Sequence, residues 1–579
     1  MKMSSENIEN IRHSLAHLLA MAVLAKFPKT KLGIGPVIEH GFYYDFLLPA
    51  PLSPDDLPEL EKTMRELIAQ NLVFSGEKIT PQKARTLFAA QPFKLELIKE
   101  FIKEKKQLTA YRTGDAFLDL CKGGHVKNTS EIPADAFKLT HIAGAYWRGS
   151  EKNPQLTRIY GLAFQTKEEL GKHIWQEEEA KKRDHRVLGE RLKLFTFAPE
   201  VGPGLPLWLP NGTALRDAIE ERAKKVEAQW GYQRVATPHI AKEDLFRMSG
   251  HIPYYADSMF PAIQLDDGNY YLKAMNCPHT HMIYKAQPHS WRDLPIRYAE
   301  YGTVYRYELS GTLAGLLRTR GFTQNDAHIY CREDQVEKEF LNVMRLHEYW
   351  YKEVFGITDF YMRLSLPAED KKKYAGLPAG WKKAVELIRS AMKKSGLPFV
   401  EAEGEAAFYG PKVDFQIKSA IGREESASTN QLDFLATERF NLTYTDTDGK
   451  KKPLYVIHRA PLGSHERFIA FLIEHYAGAF PVWLAPVQVA VLPVSEKSLG
   501  YAETVLKALK EKDVRAELDA SNETLGKKIR TAETQKIPYL LVVGEREQAS
   551  RNVAVRERSK GDLGAMALDQ FLTLTRPPV

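Results

Sequence analysis

The N-terminal segment carries apolar residues at the spacing of an amphipathic helix. In ENIRHSLAHLLAMAVLAKF, Ile11, Leu15 and Leu18 recur three or four positions apart, which predicts a helix. The same spacing places His13 and His17 on one face, one turn from each other. Further on, WQEEEAKKRDHRVLGERLKLF is dense in charge and prone to helix, and it predicts a helix that connects two domains.

The middle of the chain predicts a larger sheet region. GTALRDAIEERAKKVEAQWGYQRVATPHI indicates a long helix, a turn at Gly231 and a strand that ends at Pro238. Further strands are predicted in IRYAEYGTVYRYE, GFTQNDAHIYC, KVDFQIKSA, NQLDFLATERFNLTY and PLYVIHRAP. Longer stretches, without regular helical crossovers, separate these strands, so antiparallel pairing is favoured.

The last part of the chain alternates short strands with helices. The predicted strands are VQVAVLPV, VRAELDA, YLLVVG and NVAVRER, and the helices include YAETVLKALKEK and LGKKIRTAETQ. This alternation predicts a compact α/β domain of about one hundred residues. The patterns together divide a multidomain α+β protein into 1–178, a connecting helix 179–196, 197–479 and 480–579.

Composition narrows the class of protein. A chain of 579 residues is too long for one hydrophobic core, and 44% hydrophobic with 27% charged residues is an ordinary globular composition. No apolar run is long enough to span a bilayer and no secretory signal is present. Three cysteines cannot build a disulfide framework, so we expect a cytoplasmic protein. The net charge of +7 allows an anionic partner such as nucleic acid without requiring one.

Candidate chemistry gathers in three segments of the middle region. The first, LKAMNCPHTHMIY, holds Cys277, and alone it fits a metal ligand, a nucleophile or a buried thiol. The second is RYELSGTLAGLLRTRGFTQNDAHIYC and the third is HRAPLGSHERFIAFLIEHY. Together they offer arginines that can clamp phosphates, a glutamate for an amino group and a phenylalanine that can stack on a purine.

These segments resemble the catalytic domain of class II aminoacyl-tRNA synthetases. The helix and strand that end at Pro238 resemble motif 1, the dimer-interface motif, while RYELSGTLAGLLRTRGF resembles motif 2 and GSHERF motif 3. Within the class, AMNCPHTH, ELSGTLAGL, RGFTQNDAH and IHRAPLGSHERF are similar to threonyl-tRNA synthetases. The resemblance covers nearly the whole chain. It implies a homodimer whose subunits have an antiparallel-sheet catalytic domain, an N-terminal α+β editing domain and a C-terminal α/β anticodon-binding domain.

The resemblance also implies one zinc ion per subunit, held by Cys277, His328 and His458. The nearby His279 and His281 are then expected to take no part. Three protein ligands leave an open position, which can bind the amino group and the hydroxyl of threonine. A site built to bind a hydroxyl rejects an analogue without one, such as valine, by roughly 10⁴–10⁵.

The other site residues follow from the same resemblance. The residues implied for ATP, which comes with Mg²⁺, are Arg306, Glu308, Arg318, Phe322, Gln431 and Arg467. Those implied for threonine are Gln324, Asp326, Tyr409 and Lys412. Arg306 and Arg467 are expected to bind phosphates, and catalysis is expected to rest on positioning and charge stabilisation without a protein nucleophile.

One stretch departs from the family pattern. Where members commonly read Trp-Gln-Cys-Gly-Thr-apolar-Gln, this chain reads EESASTNQ, with Ser426 at the glutamine and Ala427 at the cysteine. Thr429 and Gln431 match the pattern and support the register.

A second cluster is indicated near the N-terminus. HSLAH lacks the glutamate of the H-E-x-x-H zinc-protease motif. Together with DLCKGGHVKN it resembles the editing site of bacterial threonyl-tRNA synthetases, which hydrolyses seryl-tRNA without a bound metal. The implied editing residues are His13, His17, Cys121 and His125, with Asp119 and Lys94 as weaker candidates. Serine keeps the hydroxyl and lacks one methyl group, worth only about 1–3 kcal/mol, so a second, hydrolytic site is expected.

The resemblance extends to both ends of the chain. The helix with His13 begins almost at once, so we expect no small ubiquitin-like domain, which many members carry before the editing domain. Near the C-terminus, Arg546 and Arg556 fall where members read anticodon bases, a task that suits arginine because it pairs with base edges and stacks on their faces. The implied partners are tRNA(Thr), ATP and L-threonine.

Two alternatives to a threonyl-tRNA synthetase function make different demands on the sequence. A related class II synthetase, such as a prolyl or seryl enzyme, is favoured if apolar residues replace Cys277, His328 or His458. A catalytically inactive tRNA-binding relative is favoured if Arg306 or Arg467 is lost. The chain keeps all five residues.

Overall fold

The chain folds into two compact units. The structure is a computed structural model that describes residues 5–367, 378–404, 406–407, 409–419, 422 and 424–575. The units are Met1–Glu178 and Glu179–Val579. In the part of the chain that is described, no helix is both long and apolar enough to cross a membrane.

The first unit is built on two antiparallel sheets. In spatial order the larger sheet contains Lys31–Leu32, Gly41–Leu47, Gln155–Ala163 and Phe137–Tyr146, with Val37–Ile38 paired to Gly41–Leu47. The smaller sheet contains Phe74–Lys78, Thr109–Thr113 and Phe117–Leu120. The helices are Ser5–Lys26, Leu57–Ala69, Pro81–Leu87 and Pro92–Lys103. The predicted first helix is confirmed, and its apolar face shares one core with Phe42 and Phe46.

The second unit contains an eight-stranded sheet. Its spatial order is Gln233–Arg234, Ile296–Tyr305, Gly321–Cys331, Tyr455–Ala460, Glu424–Asp433, Lys412–Lys418, Phe360–Leu366 and Phe399–Glu403. The inner pairs are antiparallel, as predicted, and each edge strand runs parallel to its neighbour. The accompanying helices are Pro210–Gln229, Glu243–Met248, His251–Tyr254, Cys277–Lys285, Glu333–Glu348, Pro378–Ser395, Ala436–Phe440 and His465–Tyr476. Small strand pairs and a three-stranded sheet complete the region: Phe195–Thr196, Leu207–Trp208, Ile240–Lys242, Ile263–Leu265, Gly268–Leu272, Thr443–Thr445 and Lys451–Pro453.

The same unit ends in an α/β region with a five-stranded sheet. The spatial order is Ala516–Leu518, Val489–Pro493, Tyr539–Val543, Asn552–Glu557 and Gly561–Ala567. The first three strands are parallel and the last two are antiparallel additions. The helices are Leu499–Lys510, Leu525–Thr534, Glu545–Ser550 and Leu568–Leu572. The last strand was not predicted, because GDLGAMA has two glycines and none of the β-branched residues typical of strands.

The predicted connecting helix over 179–196 is wrong as a single element. Two helices, Lys167–Arg183 and His185–Arg191, meet at Asp184. The carboxylate of Asp184 accepts a hydrogen bond from the Arg186 N–H at 2.8 Å, so it caps the second helix and ends the first.

The continuous strand predicted in NQLDFLATERFNLTY is also wrong. The strand ends at Asp433, and helix Ala436–Phe440 follows. Asp433 Oδ1 accepts hydrogen bonds from the N–H groups of Leu435 at 2.7 Å and Ala436 at 2.9 Å, and this local bonding turns the chain into the helix.

A buried ion pair fixes helix Pro210–Gln229 to the back of the eight-stranded sheet. Arg459 Nη2 lies 2.8 Å from Glu227 Oε1, and neither side chain is exposed to solvent by more than 2%. Asn325 donates from Nδ2 to the same carboxylate oxygen at 2.9 Å. The pair therefore joins the helix to two neighbouring strands of the sheet.

Candidate active site

A cavity of about 660 Å³ is lined by residues of the eight-stranded sheet and the segments beside it. The sequence-predicted residues in its lining are Arg306, Glu308, Arg318, Phe322, Gln324, Lys412, Gln431 and Arg467. Most of the residues predicted for ATP and threonine are thus brought together in one place.

Strand alternation explains how one short segment supplies so many of these groups. Within Gly321–Cys331, the even-numbered Phe322, Gln324, Asp326 and His328 share one face of the sheet. The odd-numbered residues, such as Asn325, face the helix on the other side. The two faces therefore carry different chemistry from one stretch of sequence.

One end of the cavity is rich in arginine. The Arg306 guanidinium carbon lies 5.0 Å from the centre of the Phe322 ring. Arg318 forms an ion pair with Glu308 at 2.8 Å. Arg467 is in the first turn of helix His465–Tyr476, where such a group can reach a phosphate. The arrangement offers cations for phosphate oxygens and an aromatic face for a purine ring.

Polar groups suited to a small amino acid lie in the cavity wall and directly beside it. The Tyr409 hydroxyl donates a hydrogen bond to Gln431 Oε1. Asp326 Oδ2 accepts from Asn276 Nδ2 at 3.1 Å, and Lys412 lies 3.0 Å from Asp414. Neither Asp326 nor Tyr409 lines the main cavity itself, but Tyr409 contacts Gln431, which does.

Cys277, His328 and His458 form a buried cluster of possible metal ligands. Their donor atoms all lie within 4.8 Å of one another. His328 and His458 stand directly opposite each other on neighbouring strands, and Gln431 stands opposite His458 on its other side. Cys277 is the first residue of helix Cys277–Lys285. The cluster is therefore joined to the cavity through Gln431.

The protonation of this cluster suits a metal ion. Burial lowers the pKa of His328 well below its ordinary value, so its imidazole is neutral at pH 7 and keeps a lone pair. His328 Nε2 is buried and has no hydrogen-bond partner among the described residues. Burial also raises the pKa of the Cys277 thiol, so a thiolate forms there when a cation compensates the charge. One sulfur and two nitrogens are the donors that zinc prefers, and the residues fit that ion.

His281 lies closer to this centre than the sequence interpretation assumed. It forms a second, overlapping group of possible ligands with Asp433 and His458. Its Nδ1, however, is 2.9 Å from the Tyr330 hydroxyl, and Asp433 Oδ2 is 3.3 Å from His458 Nε2. Asp433 therefore stands where a carboxylate can orient the imidazole of His458, while the Nδ1 of His281 is already engaged by Tyr330.

The stretch that departs from the family pattern lies along the same cavity. Glu425 Oε2 is 3.7 Å from Arg467 Nη2, and Ser426 exchanges hydrogen bonds with the Gln416 side chain at 2.8 and 2.9 Å. Ser426 and Ala427 both line the cavity, so the substitutions change its wall directly.

A second pocket, of about 350 Å³, occurs in the first unit. The donor atoms of His13, His17, Cys121 and His125 lie within 4.8 Å of one another. Cys121 Sγ is 3.4 Å from His13 Nε2 and 3.1 Å from His125 Nε2. The predicted pairs, distant in sequence, thus meet in one cluster at the pocket.

Burial keeps this second cluster uncharged. It lowers the pKa of His13, His17 and His125 and raises the pKa of the Cys121 thiol to about 12. Neutral imidazoles can act as general bases toward a water molecule.

Lys94 and Asp119, the weaker editing candidates, form a buried ion pair at the same pocket. Lys94 Nζ lies 2.5 Å from Asp119 Oδ1, with both side chains at most 4% exposed, and both line the second pocket. The Tyr44 hydroxyl, which the sequence interpretation missed, donates to Asp119 at 2.5 Å. Only its position on strand Gly41–Leu47 brings it there, so no local sequence signal could have identified it.

The two predicted anticodon residues lie in the five-stranded region. Arg546 is exposed on helix Glu545–Ser550, and Arg556 is partly buried on strand Asn552–Glu557.

Comparisons with known proteins match each of these regions. Residues 260–476 match the tRNA synthetase class II core domain (G, H, P, S and T), and residues 488–576 match an anticodon binding domain. Residues 108–160 match the threonyl and alanyl tRNA synthetase second additional domain. A threonine–tRNA ligase of Gloeobacter violaceus is 50% identical over 98% of this chain and 92% of its own length. One of Thermus thermophilus is 49% identical over 97% of this chain and 87% of its own.

This chain belongs to the threonine–tRNA ligase family. It is accordingly a class II aminoacyl-tRNA synthetase, as the motifs predicted, and not a prolyl or seryl relative.

Solved structures agree with the threonine–tRNA ligase fold. The RNA binding domain of threonyl-tRNA synthetase from Cryptosporidium parvum has a TM-score of 0.66 and 36% identity, and the match covers 68% of this chain and 99% of that one. A putative threonyl-tRNA synthetase from Aeropyrum pernix has a TM-score of 0.60 and 30% identity, over 69% of this chain and 97% of that one.

Several cavity residues of this ligase were missed from sequence. Tyr255, Met275, Arg363 and Asp414 line the cavity beside the predicted groups. Asp414 precedes Phe415 on a strand with Lys412, so alternation within KVDFQIKSA could have identified it. Arg363 stands on Phe360–Leu366, a strand that the sequence analysis did not predict.

The donor cluster yields a test on metal content. We expect the purified protein to hold about one zinc ion per chain, and Cys277→Ser to reduce this to near zero because zinc loses its thiolate. Elemental analysis by plasma mass spectrometry measures the ratio. Cys121→Ser is the matched control and should leave the zinc content unchanged, since the second cluster is expected to hold no metal. Full zinc retention in Cys277→Ser would contradict the assignment.

Proposed function

We propose that this protein activates L-threonine with ATP and Mg²⁺ and transfers it to tRNA(Thr), in the cytoplasm, where a ligand thiol stays reduced. The observation that carries the proposal is the junction of two features in one site. The first is the cluster of possible metal donors, Cys277, His328 and His458, and the second is the arginine-lined cavity. Gln431 lies opposite His458 and also lines the cavity, so it joins the two. Such a site can bind an amino acid and a nucleotide side by side.

The side chains have distinct roles in adenylate formation. Arg306 and Arg467 bind phosphates, Phe322 stacks on adenine, and the Glu308–Arg318 pair borders the nucleotide. These groups position the reactants and stabilise charge as the threonine carboxylate attacks the α-phosphate, the bond to the β-phosphate breaks and pyrophosphate leaves; no protein nucleophile is needed.

The amino-acid end accounts for selection of threonine. Cys277, His328 and His458 would hold the zinc ion, which would act as a Lewis acid toward the amino group and hydroxyl of the substrate. Asp326 accepts a hydrogen bond from that hydroxyl, while Gln324, Tyr409, Lys412 and Gln431 complete the pocket.

The first unit supplies hydrolytic correction in this proposal. His13, His17, Cys121 and His125 surround the ester of seryl-tRNA(Thr), and a neutral histidine activates water. The match of residues 108–160 to the second additional domain supports this role. Arg546 and Arg556 read the anticodon from the five-stranded region, which the match over residues 488–576 supports.

We also propose a homodimer through the Leu215–Pro238 region. Strand Gln233–Arg234 is an edge of the eight-stranded sheet, and among the described strands it pairs only with Ile296–Tyr305. A free sheet edge is a ready surface for a second copy.

Amino-acid specificity is tested by ATP–pyrophosphate exchange with each amino acid in turn. Threonine should support exchange, valine should give a kcat/KM lower by roughly 10⁴ or more, and serine should be lower by only about 10–200-fold. Exchange that discriminates valine no better than serine would contradict hydroxyl selection. No exchange with any amino acid would favour the inactive tRNA-binding alternative.

Editing is tested by deacylation of preformed seryl-tRNA(Thr). We expect the His13→Ala, His17→Ala double variant to clear it about 100-fold or more slowly, because the general base is lost. Threonine activation should persist, since both histidines belong to the other compact unit. Glu6→Ala, Glu9→Ala, two exposed changes on the same helix, is the matched control. If the variant and the parent deacylate seryl-tRNA(Thr) at the same rate, the two histidines have no role in editing and form only a polar helix face.

The dimer is tested by sedimentation velocity at micromolar concentration. The expected species has twice the mass of the chain, because the edge strand of each copy is covered by the other. A monomer under those conditions would refute the interface.

A further inference from the structure

His185 occupies a buried position between two segments of the active site. It is the first residue of helix His185–Arg191, and its side chain is only 4% exposed. Its ring approaches Glu474, near the end of helix His465–Tyr476, and Leu316, in the segment that resembles motif 2.

The two hydrogen bonds of His185 fix its tautomer. Leu316 N–H lies 3.1 Å from Nε2, and because a backbone N–H can only donate, Nε2 must be the acceptor. Nδ1 therefore carries the proton and donates a hydrogen bond to Glu474 Oε1 at 2.8 Å. The carboxylate orients the imidazole, and the imidazole holds the backbone of Leu316.

A glycine next to Leu316 leaves space for the His185 ring. Gly315 has a φ of +52°, in the left-handed region that favours glycine. A Cβ added at Gly315 would lie 2.3 Å from His185 Nε2, so a side chain there would displace the imidazole.

The same connecting segment also binds the end of the motif 3 helix. Arg183 Nη1 donates to the carbonyl oxygen of His475 at 3.1 Å. Such a cation satisfies carbonyl groups left without partners at a helix C-terminus. Arg183 and His185 thus both contact the C-terminal end of helix His465–Tyr476, and His185 also contacts the segment that resembles motif 2.

We infer that His185 is a positioning residue for ATP binding, acting through Leu316. The residues that follow Leu316, namely Leu317, Arg318 and Thr319, line the nucleotide cavity. Fixing one backbone N–H in the turn between Ala314 and Arg318 therefore sets the position of Arg318 and of its partner Glu308. The inference rests on the proposed function, since it assigns the cavity to ATP.

The test compares ATP and threonine in His185→Phe, which keeps a planar ring and removes both nitrogens. We expect KM and the calorimetric Kd for ATP to rise about tenfold, the ratio that one lost backbone hydrogen bond of ordinary strength gives. KM for threonine and kcat should change less than about twofold, because the residues assigned to threonine all lie outside the segment that contains Leu316 and Arg318. Val187→Ala, an exposed change on the same helix, is the control that should match the parent.

Two alternative substitutions at Glu474 test whether ATP affinity depends on the hydrogen bond that orients His185. Glu474→Gln keeps an oxygen that accepts from Nδ1 and should retain ATP affinity, whereas Glu474→Leu should weaken it as His185→Phe does. Equal effects of Gln and Leu, or equal losses for ATP and threonine in His185→Phe, would overturn the inference. If His185→Phe does not fold, the comparison of Glu474→Gln with Glu474→Leu still tests the inference.

Amide hydrogen exchange separates this inference from the proposed function. In the parent, the Leu316 N–H should exchange far more slowly than that of the exposed Leu309, and the protection should fall in His185→Phe whatever the enzyme activates. Equal rates at Leu309 and Leu316 in the parent would refute the contact. The donor atoms of Asp184, His185 and Glu474 also lie within 4.8 Å of one another, so a second zinc ion lost in His185→Phe would reassign the cluster to a metal.

Discussion

The register between three neighbouring strands is the constraint on which the catalytic site depends. His328 on Gly321–Cys331 stands opposite His458 on Tyr455–Ala460, which in turn stands opposite Gln431. A slip of one residue would turn every side chain of a strand to the other face and would separate the metal donors. The buried Glu227–Arg459 pair resists such a slip, since Arg459 adjoins His458 in sequence and faces the helix. Leaving one member of such a buried pair without its partner costs about 3–5 kcal/mol.

Two different chemistries follow from two ways of placing histidines. In the candidate active site, neighbouring strands hold the imidazoles, and His328 Nε2 has no hydrogen-bond partner within the described part of the chain. In the first unit, a helix supplies His13 and His17, and their neighbours are the Cys121 thiol and a third imidazole. The first arrangement suits recognition of a hydroxyl, and the second suits attack by water on an ester.

Sequence reasoning succeeded where periodicity or a motif carried the information. The helical spacing of His13 and His17 and the strand GFTQNDAHIYC are local patterns, and both were predicted correctly. The break at Asp184 and the helix after Asp433 were missed because each depends on one side chain bonding to nearby backbone N–H groups. Tyr44 was missed for a different reason, since only sheet packing brings it to Asp119.

Strand alternation also explains how the departing stretch can change while the pocket keeps its key groups. Ser428 and Asn430 pair with Phe415 and Val413, so all four face the core side of the sheet. The Ser428 hydroxyl accepts a hydrogen bond from Tyr351 at 2.6 Å, which satisfies a polar atom placed among apolar neighbours.

Thr429 and Gln431, the residues that match the family, occupy the opposite face of the same strand and line the cavity. The register shift that begins after Phe415 brings Ser426 opposite Gln416, so the hydroxyl that replaces the usual glutamine side chain has a hydrogen-bond partner within the sheet. The cavity wall on this strand is therefore formed both by the residues that match the family and by Ser426 and Ala427, the residues that depart from it.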